Sequence, residues 1–205
     1  MTRKRIIDLV LLTLGLAGVL TVVSLQLKVS AVKERMASSE TVAGSPIGGP
    51  FTLTDHTGAS VTEQVLAGKY VLMYFGFTFC PAICPTELQK MNRAMEDAGP
   101  LADKIQPVFI TIDPTRDTQS VMAAYVPQFH PRLLGLTGTQ DQIDAVLKSY
   151  RVYARKVEDP GMTEYTMDHS SYIYLIGPGG ALLGAYGIST PPSHITADLQ
   201  KLIKP

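Results

Sequence analysis

The sequence predicts a layered α/β domain built on a mixed sheet with helices on both faces. Three observations carry this expectation. Apolar runs of strand length recur along the chain, the strongest being YVLMYFGF from Tyr70. Segments with helical spacing of apolar residues alternate with them. Late in the chain, 171–176 and 181–186 flank GPGG and read as an antiparallel hairpin, which argues against an all-parallel sheet. With 205 residues, 45% of them hydrophobic, the chain can bury a substantial core and fits one domain with an appendage better than two domains.

The appendage comes first. Residues 9–27, LVLLTLGLAGVLTVVSLQL, carry no charge. As a helix they would rise about 28 Å, close to the roughly 30 Å thickness of a bilayer's hydrocarbon core. Arg3, Lys4 and Arg5 precede the run and favour a cytoplasmic N-terminus, which sends the remainder across the membrane, although Lys28, Lys33 and Arg35 blunt that asymmetry. A cleaved signal peptide competes with an uncleaved transmembrane helix, since Val29, Ser30 and Ala31 resemble a small-residue cleavage site; the apolar run exceeds the usual length of such a peptide. The expected division is an anchor over 1–30, a tether and entry loop over 31–50 ending in GSPIGGP, and a folded domain over 51–205.

Within the domain, 51–54 and Ser60–Thr62 flank DHTG and suggest a short hairpin. YVLMYFGF has the length of a buried strand. Beyond Pro85, Leu88, Met91 and Met95 mark one face of a helix that stops at Gly99. Residues 106–112 form a strand candidate, DPTRDT a loop, 119–126 a short helix and 132–136 another strand. A helix follows over 139–150, with Thr139 available as its cap and Ile143, Val146 and Leu147 on one side. After the hairpin, 191–203 closes the chain with a helix.

Composition excludes some functions. Lys and Arg match Asp and Glu at 18 each over the whole chain, yet residues 36–205 carry twelve Lys/Arg against sixteen Asp/Glu, a formal charge of −4. That leaves no footprint for nucleic acid. GPGG lies between two strands rather than between a strand and a helix, so nucleotide-dependent chemistry has no motif to rest on.

The chemistry concentrates in FCPAICP, where the only two cysteines, Cys80 and Cys84, follow the most apolar strand. If the segment is helical from Pro81, a four-residue separation puts both sulfurs toward one side and the first near the helix N-terminus, which favours the thiolate. If the helix begins near Pro85, the cysteines sit in an irregular loop before it. A purely structural disulfide would close too small a loop to staple much of the fold.

A third donor separates metal binding from thiol exchange. Of the four histidines, His56 lies in the DHTG turn, His130 between Phe129 and Pro131, and His194 in the terminal helix; His169 alone immediately precedes the SYIYLI strand. Ligands in α/β sheets collect beyond strand ends, so His169 is the histidine best placed to approach the cysteines. Two thiolates and an imidazole make a soft three-donor set suited to Cu(I), whereas tetrahedral zinc wants a further ligand or a water. Composition does not choose between them. Asp168 could orient the His169 ring or cap a turn; Met162 and Met167 are sulfur donors near the same loop, more ordinarily packing residues. Asp113 and Asp117 have the spacing of an acidic surface or a hard-cation site but lack the other oxygen ligands of a Ca²⁺ or Mg²⁺ cage, which favours a loop role.

Three segments together, YFGFTFCPAICPTEL at 74–88, FITIDPTRDT at 109–118 and DHSSYIYLIGPGG at 168–180, resemble the Sco/SenC family of thioredoxin-like copper proteins. The match runs from about Phe51 to Ile203. The resemblance implies a thioredoxin-like core, with Cys80 and Cys84 as a redox-active, metal-binding pair and His169 as the third copper ligand. It implies binding of copper, as Cu(I) and also as Cu(II), and a role in delivering copper to the binuclear copper centre of cytochrome c oxidase. The alternative it leaves is a membrane-tethered thiol-disulfide reductase that keeps the client's copper-ligand cysteines reduced. The implied partners are the oxidase's copper-bearing subunit, an upstream copper donor, a thiol-disulfide reductant and the membrane, with no nucleic acid. The short N-terminus lacks an Arg/Ser-rich transit segment and fits a bacterial cytoplasmic-membrane protein whose soluble domain faces the periplasm. One position departs from the family pattern: Ala82 stands where an acidic residue is common after the first cysteine.

Overall fold

The computed structural model describes residues 47–158 and 164–203. Strands β1 (Thr52–Asp55) and β2 (Ser60–Thr62) form the expected hairpin. Then come β3 (Tyr70–Gly76), helix α1 (Ile83–Ala98), β4 (Ile105–Thr111), α2 (Gln119–Tyr125), β5 (Leu134–Thr137) and α3 (Gln140–Ser149). A two-stranded ribbon, β6 (Ala154–Val157) with β7 (Thr166–His169), precedes the hairpin of β8 (Ile173–Ile176) and β9 (Leu182–Tyr186), and α4 (Pro192–Leu202) ends the domain.

Seven strands make one sheet in the order β2-β1-β5-β4-β3-β8-β9. Strands β3, β4 and β5 run parallel, while β1, β8 and β9 enter through antiparallel pairings. The expected mixed sheet is present. Its two central strands, β3 and β4, are almost wholly buried, which is why they read as continuous apolar runs rather than as alternating ones. On one face Tyr74 lies 6.4 Å from Phe109, ring to ring, with Cys84 of α1 beside them, and α1 packs on α4. On the opposite face Phe75 meets Tyr150, which ends α3. Helices therefore flank both faces.

Local signals explain the element ends. Helix α1 buries Cys84, Leu88, Met91 and Met95 at helical spacing. Thr139 caps α3 in a reciprocal capping box with Gln142, as its position before the apolar run predicted. The GPGG turn places Gly180 at φ +80, a conformation that an L side chain resists.

The ribbon β6–β7 was not expected. None of its residues is buried: Arg155, Lys156 and Asp168 are exposed and the rest only partly covered, so neither segment shows the run of buried alternate residues that betrays a half-buried strand. Consequently His169 ends a strand of its own instead of standing in a loop before SYIYLI, and Ser171 and Tyr172 are linker rather than strand. Ile47 is already buried, and the Gly48 N–H donates to the Ser149 carbonyl at 2.8 Å. Among the described residues no helix is long and apolar enough to cross a membrane. The span expected at 9–27 lies outside the described residues.

Candidate metal centre

The cysteine segment leaves the sheet at the C-terminal end of β3 and enters α1 at Ile83. The helix start falls between the two alternatives the prolines suggested. Pro85 lies in the first turn, where a backbone N–H would have no partner inside the helix, so its missing donor costs nothing. Ala82 holds the N-cap position but supplies no capping side chain. Instead, the Cys80 sulfur accepts from the Cys84 N–H at 3.3 Å, taking the place of a capping oxygen.

Both cysteines are free thiols, and they differ in environment. Cys80 is half-buried; Cys84 is fully enclosed. A hydrogen bond from the Cys84 thiol lowers the Cys80 pKa to about 5; burial opposes this, and the backbone N–H groups of Cys84, Ala82 and Ile83 assist it. The same bond, with burial, pushes the Cys84 thiol upward. The reduced pair thus sheds one proton readily and holds the second.

Antiparallel pairing brings the histidine in. Strand β8 runs against β3 with Ile173 opposite Tyr74, so the segment entering β8 lies at the end of β3 where the cysteines begin. His169 Nε2 stands 3.9 Å from the Cys84 sulfur. Its Nδ1 lies 3.0 Å from the Ser170 carbonyl, which can only accept, so Nδ1 carries the proton and Nε2 presents a lone pair to the thiols. Burial lowers the imidazole pKa and favours the neutral ring. Phe77 and Tyr74 meet the ring edge-on, at 5.9 and 6.4 Å between centroids.

Of the four histidines, His169 is the one placed against a cysteine. His56 and His130 accept backbone N–H groups of Gly135 and Arg132, and His194 lies 3.9 Å from Asp198. Asp168 is exposed, and the ring is oriented by the Ser170 carbonyl instead. Met167 packs against the core, and Met162 is outside the described residues. Asp113 and Asp117 are neither an acidic surface nor a cation cage: they are 4% and 0% exposed and tied into the fold. Asp117 accepts from the backbone and hydroxyl of Thr78 and from the Thr111 hydroxyl, so it pins the cysteine loop to the end of β4.

Some groups at the site carried no sequence signal. The Tyr74 hydroxyl reaches the Cys84 sulfur at 3.7 Å. Gly76 makes room for that sulfur: a Cβ there would lie 2.9 Å from it and 2.8 Å from the Tyr74 ring. A lone glycine at a strand end hints at a close approach but does not say of what. Among the described residues no three His, Cys, Asp or Glu side chains stand close enough together to hold an ion. The arrangement is a Cys84–His169 contact with the Cys80 sulfur beside it.

The SCO1/SenC family model matches residues 39–204. The human mitochondrial SCO1 homologue is 41% identical over 165 residues, which cover 79% of this chain and 55% of that protein, so the chain spans about half the length of that relative. Copper-bound ScoI of Bradyrhizobium japonicum is 42% identical with a TM-score of 0.69, covering 76% of this chain and 98% of that one. BsSco, a member of the Sco family of cytochrome c oxidase assembly proteins with an identified disulfide switch, is 25% identical with a TM-score of 0.61 over 78% of this chain and 94% of that one.

Proposed function

The chain belongs to the SCO1/SenC family, and on that premise we propose that it is a copper metallochaperone acting in assembly of the binuclear copper centre of cytochrome c oxidase. Cys80, Cys84 and His169 carry the ion. The supporting observation is the 3.9 Å approach of His169 Nε2 to the Cys84 sulfur, with the Cys80 sulfur on the adjoining helix terminus. One thiolate, one thiol and one neutral imidazole form a soft donor set that Cu(I) prefers. Loading expels the Cys84 proton and draws the three groups together. The client is the oxidase subunit that bears the copper, and the span expected at 9–27 tethers the domain to a bacterial cytoplasmic membrane, facing the periplasm.

The asymmetry of the thiols supports a second reading, reduction of a client disulfide. The Cys80 thiolate attacks one client sulfur, forming a mixed disulfide and releasing the other client sulfur as a thiolate. Cys84 then gives up its proton and attacks Cys80, freeing the second client thiolate. Two electrons pass to the client and the Cys80–Cys84 disulfide remains.

His169→Ala separates the readings. If the protein transfers copper, the folded variant binds Cu(I) more weakly, with an altered spectrum, and fails to metallate the client, yet still reduces a model disulfide. Unchanged Cu(I) affinity and spectrum in the variant would remove His169 from the site.

A further inference from the structure

Two segments bring the candidate ligands, and neither is fixed by the core alone. Phe79, which precedes Cys80, is 53% exposed, and the β6–β7 ribbon that ends in His169 stands apart from the main sheet. Between them lies Arg116, in the loop after β4. Its guanidinium carbon is 4.6 Å from the Phe79 ring centroid and 3.6 Å from that of Tyr165, four residues before His169. Phe77, whose ring edges His169, is the third aromatic neighbour at 5.8 Å.

Polar contacts fix the guanidinium in that position. Arg116 Nε donates to the Asp113 carboxylate and its Nη1 donates to the Tyr165 carbonyl at 2.8 Å. The Tyr165 hydroxyl donates back to the same carboxylate at 2.9 and 3.0 Å. The Asp113 backbone is held in turn by the Thr111 hydroxyl. A planar cation that stacks on rings and forks to two acceptors does what a lysine ammonium cannot.

We propose that Arg116 is a positioning residue that links the Cys80 segment to the strand bearing His169 and so holds the imidazole within reach of the thiols. The mechanical part stands on these contacts alone; its consequence for copper rests on the function proposed above. Without the guanidinium, Phe79 and Tyr165 lose their common support, and the two segments are left with the Asp113–Tyr165 and Asp117–Thr78 bonds and the Phe77–His169 ring contact, so both loosen.

The test uses the full chain in detergent, reduced and metal-free, as wild type, Arg116→Ala, Arg116→Lys and Phe79→Ala. Backbone hydrogen exchange is followed over 77–82 and 164–170. Arg116→Ala raises exchange about tenfold in both segments, the mark of a local opening rather than global unfolding. Arg116→Lys does not restore protection. Phe79→Ala, which removes a half-exposed ring and leaves the core intact, loosens 164–170 although that segment is remote in sequence. X-ray absorption of the Cu(I)-loaded proteins then shows a weakened imidazole contribution in Arg116→Ala. Should Arg116→Ala fail to fold, Phe79→Ala decides. Wild-type protection over 164–170 in Phe79→Ala, or full rescue by lysine, overturns the link. Failure of the wild type to bind Cu(I) overturns the proposed function and leaves the exchange result standing.

Discussion

Cys80 and Cys84 are four residues apart yet have opposite acid–base character, because the hydrogen bond between them, helped by the N–H groups of the helix terminus, favours charge on the first sulfur, while that same bond and burial keep the second neutral. Near neutrality the site therefore has one proton to lose, and the Cu(I) affinity should rise about tenfold per pH unit between pH 6 and 8. A proton count of two per ion, measured by titration in weakly buffered solution, would contradict the shared-proton pair. Folding stability carries the same signature. A thiol whose pKa falls from 9.0 to about 5 on folding leaves the unfolded chain holding the extra proton between those values. The metal-free reduced domain should thus gain stability as pH rises through that window and lose it as pH falls toward 5. Cys84, shifted upward, acts in the opposite sense only above pH 9. Cys80→Ser should flatten the slope of urea midpoint against pH; a slope equal to the wild type's would sink the assignment.

At the scale of the element, α1 carries the site and must be held against the sheet by more than its apolar stripe. Glu87, 1% exposed, projects from its first half; burial pushes its carboxyl up, while Lys90 at 2.6 Å opposes the shift. Lys90 also donates to the Ile188 carbonyl at 2.8 Å, joining α1 to the loop before α4. Removing the lysine leaves a buried carboxylate without its charge partner, so Lys90→Met should destabilise the domain by about 3 kcal/mol. The double variant Glu87→Gln with Lys90→Met should recover most of that loss. Urea unfolding of the three variants measures both quantities, and an additive double variant would show that the pair does not act as a unit. Helix α1 was legible as a helix, since Leu88, Met91 and Met95 repeat at its period. Glu87 was not, because a glutamate in a helix reads as solvent-facing until its neighbours are known.

For the whole molecule, the anchor proposed at 9–27 rests on sequence alone: the expectation comes from uncharged length and flanking basic residues, without reference to any fold. It should persist in the mature protein, so N-terminal sequencing of membrane-purified material should begin upstream of the span; a start near Ala31 would mean cleavage. The central strands and the four α-helices among the described residues were legible, the strands as continuous apolar runs and the helices by hydrophobic period, because both are local properties of the chain. The cysteine pair announced itself for the same reason, both members lying within one turn of chain. What only the tertiary structure decided is convergence. His169 is 85 residues from Cys84 and reaches it through the antiparallel pairing of β8 with β3. Asp117, which looked like an exposed loop acid, is a buried tie, and Arg116 bridges two segments that the sequence treats as unrelated. The ribbon that carries His169 gave no periodic signal, because none of its residues is fully buried and only Ala154 and Met167 pack as apolar side chains against the core. Periodicity records which side of an element meets the core; which elements then meet each other is settled by sheet order and register, which no single segment contains.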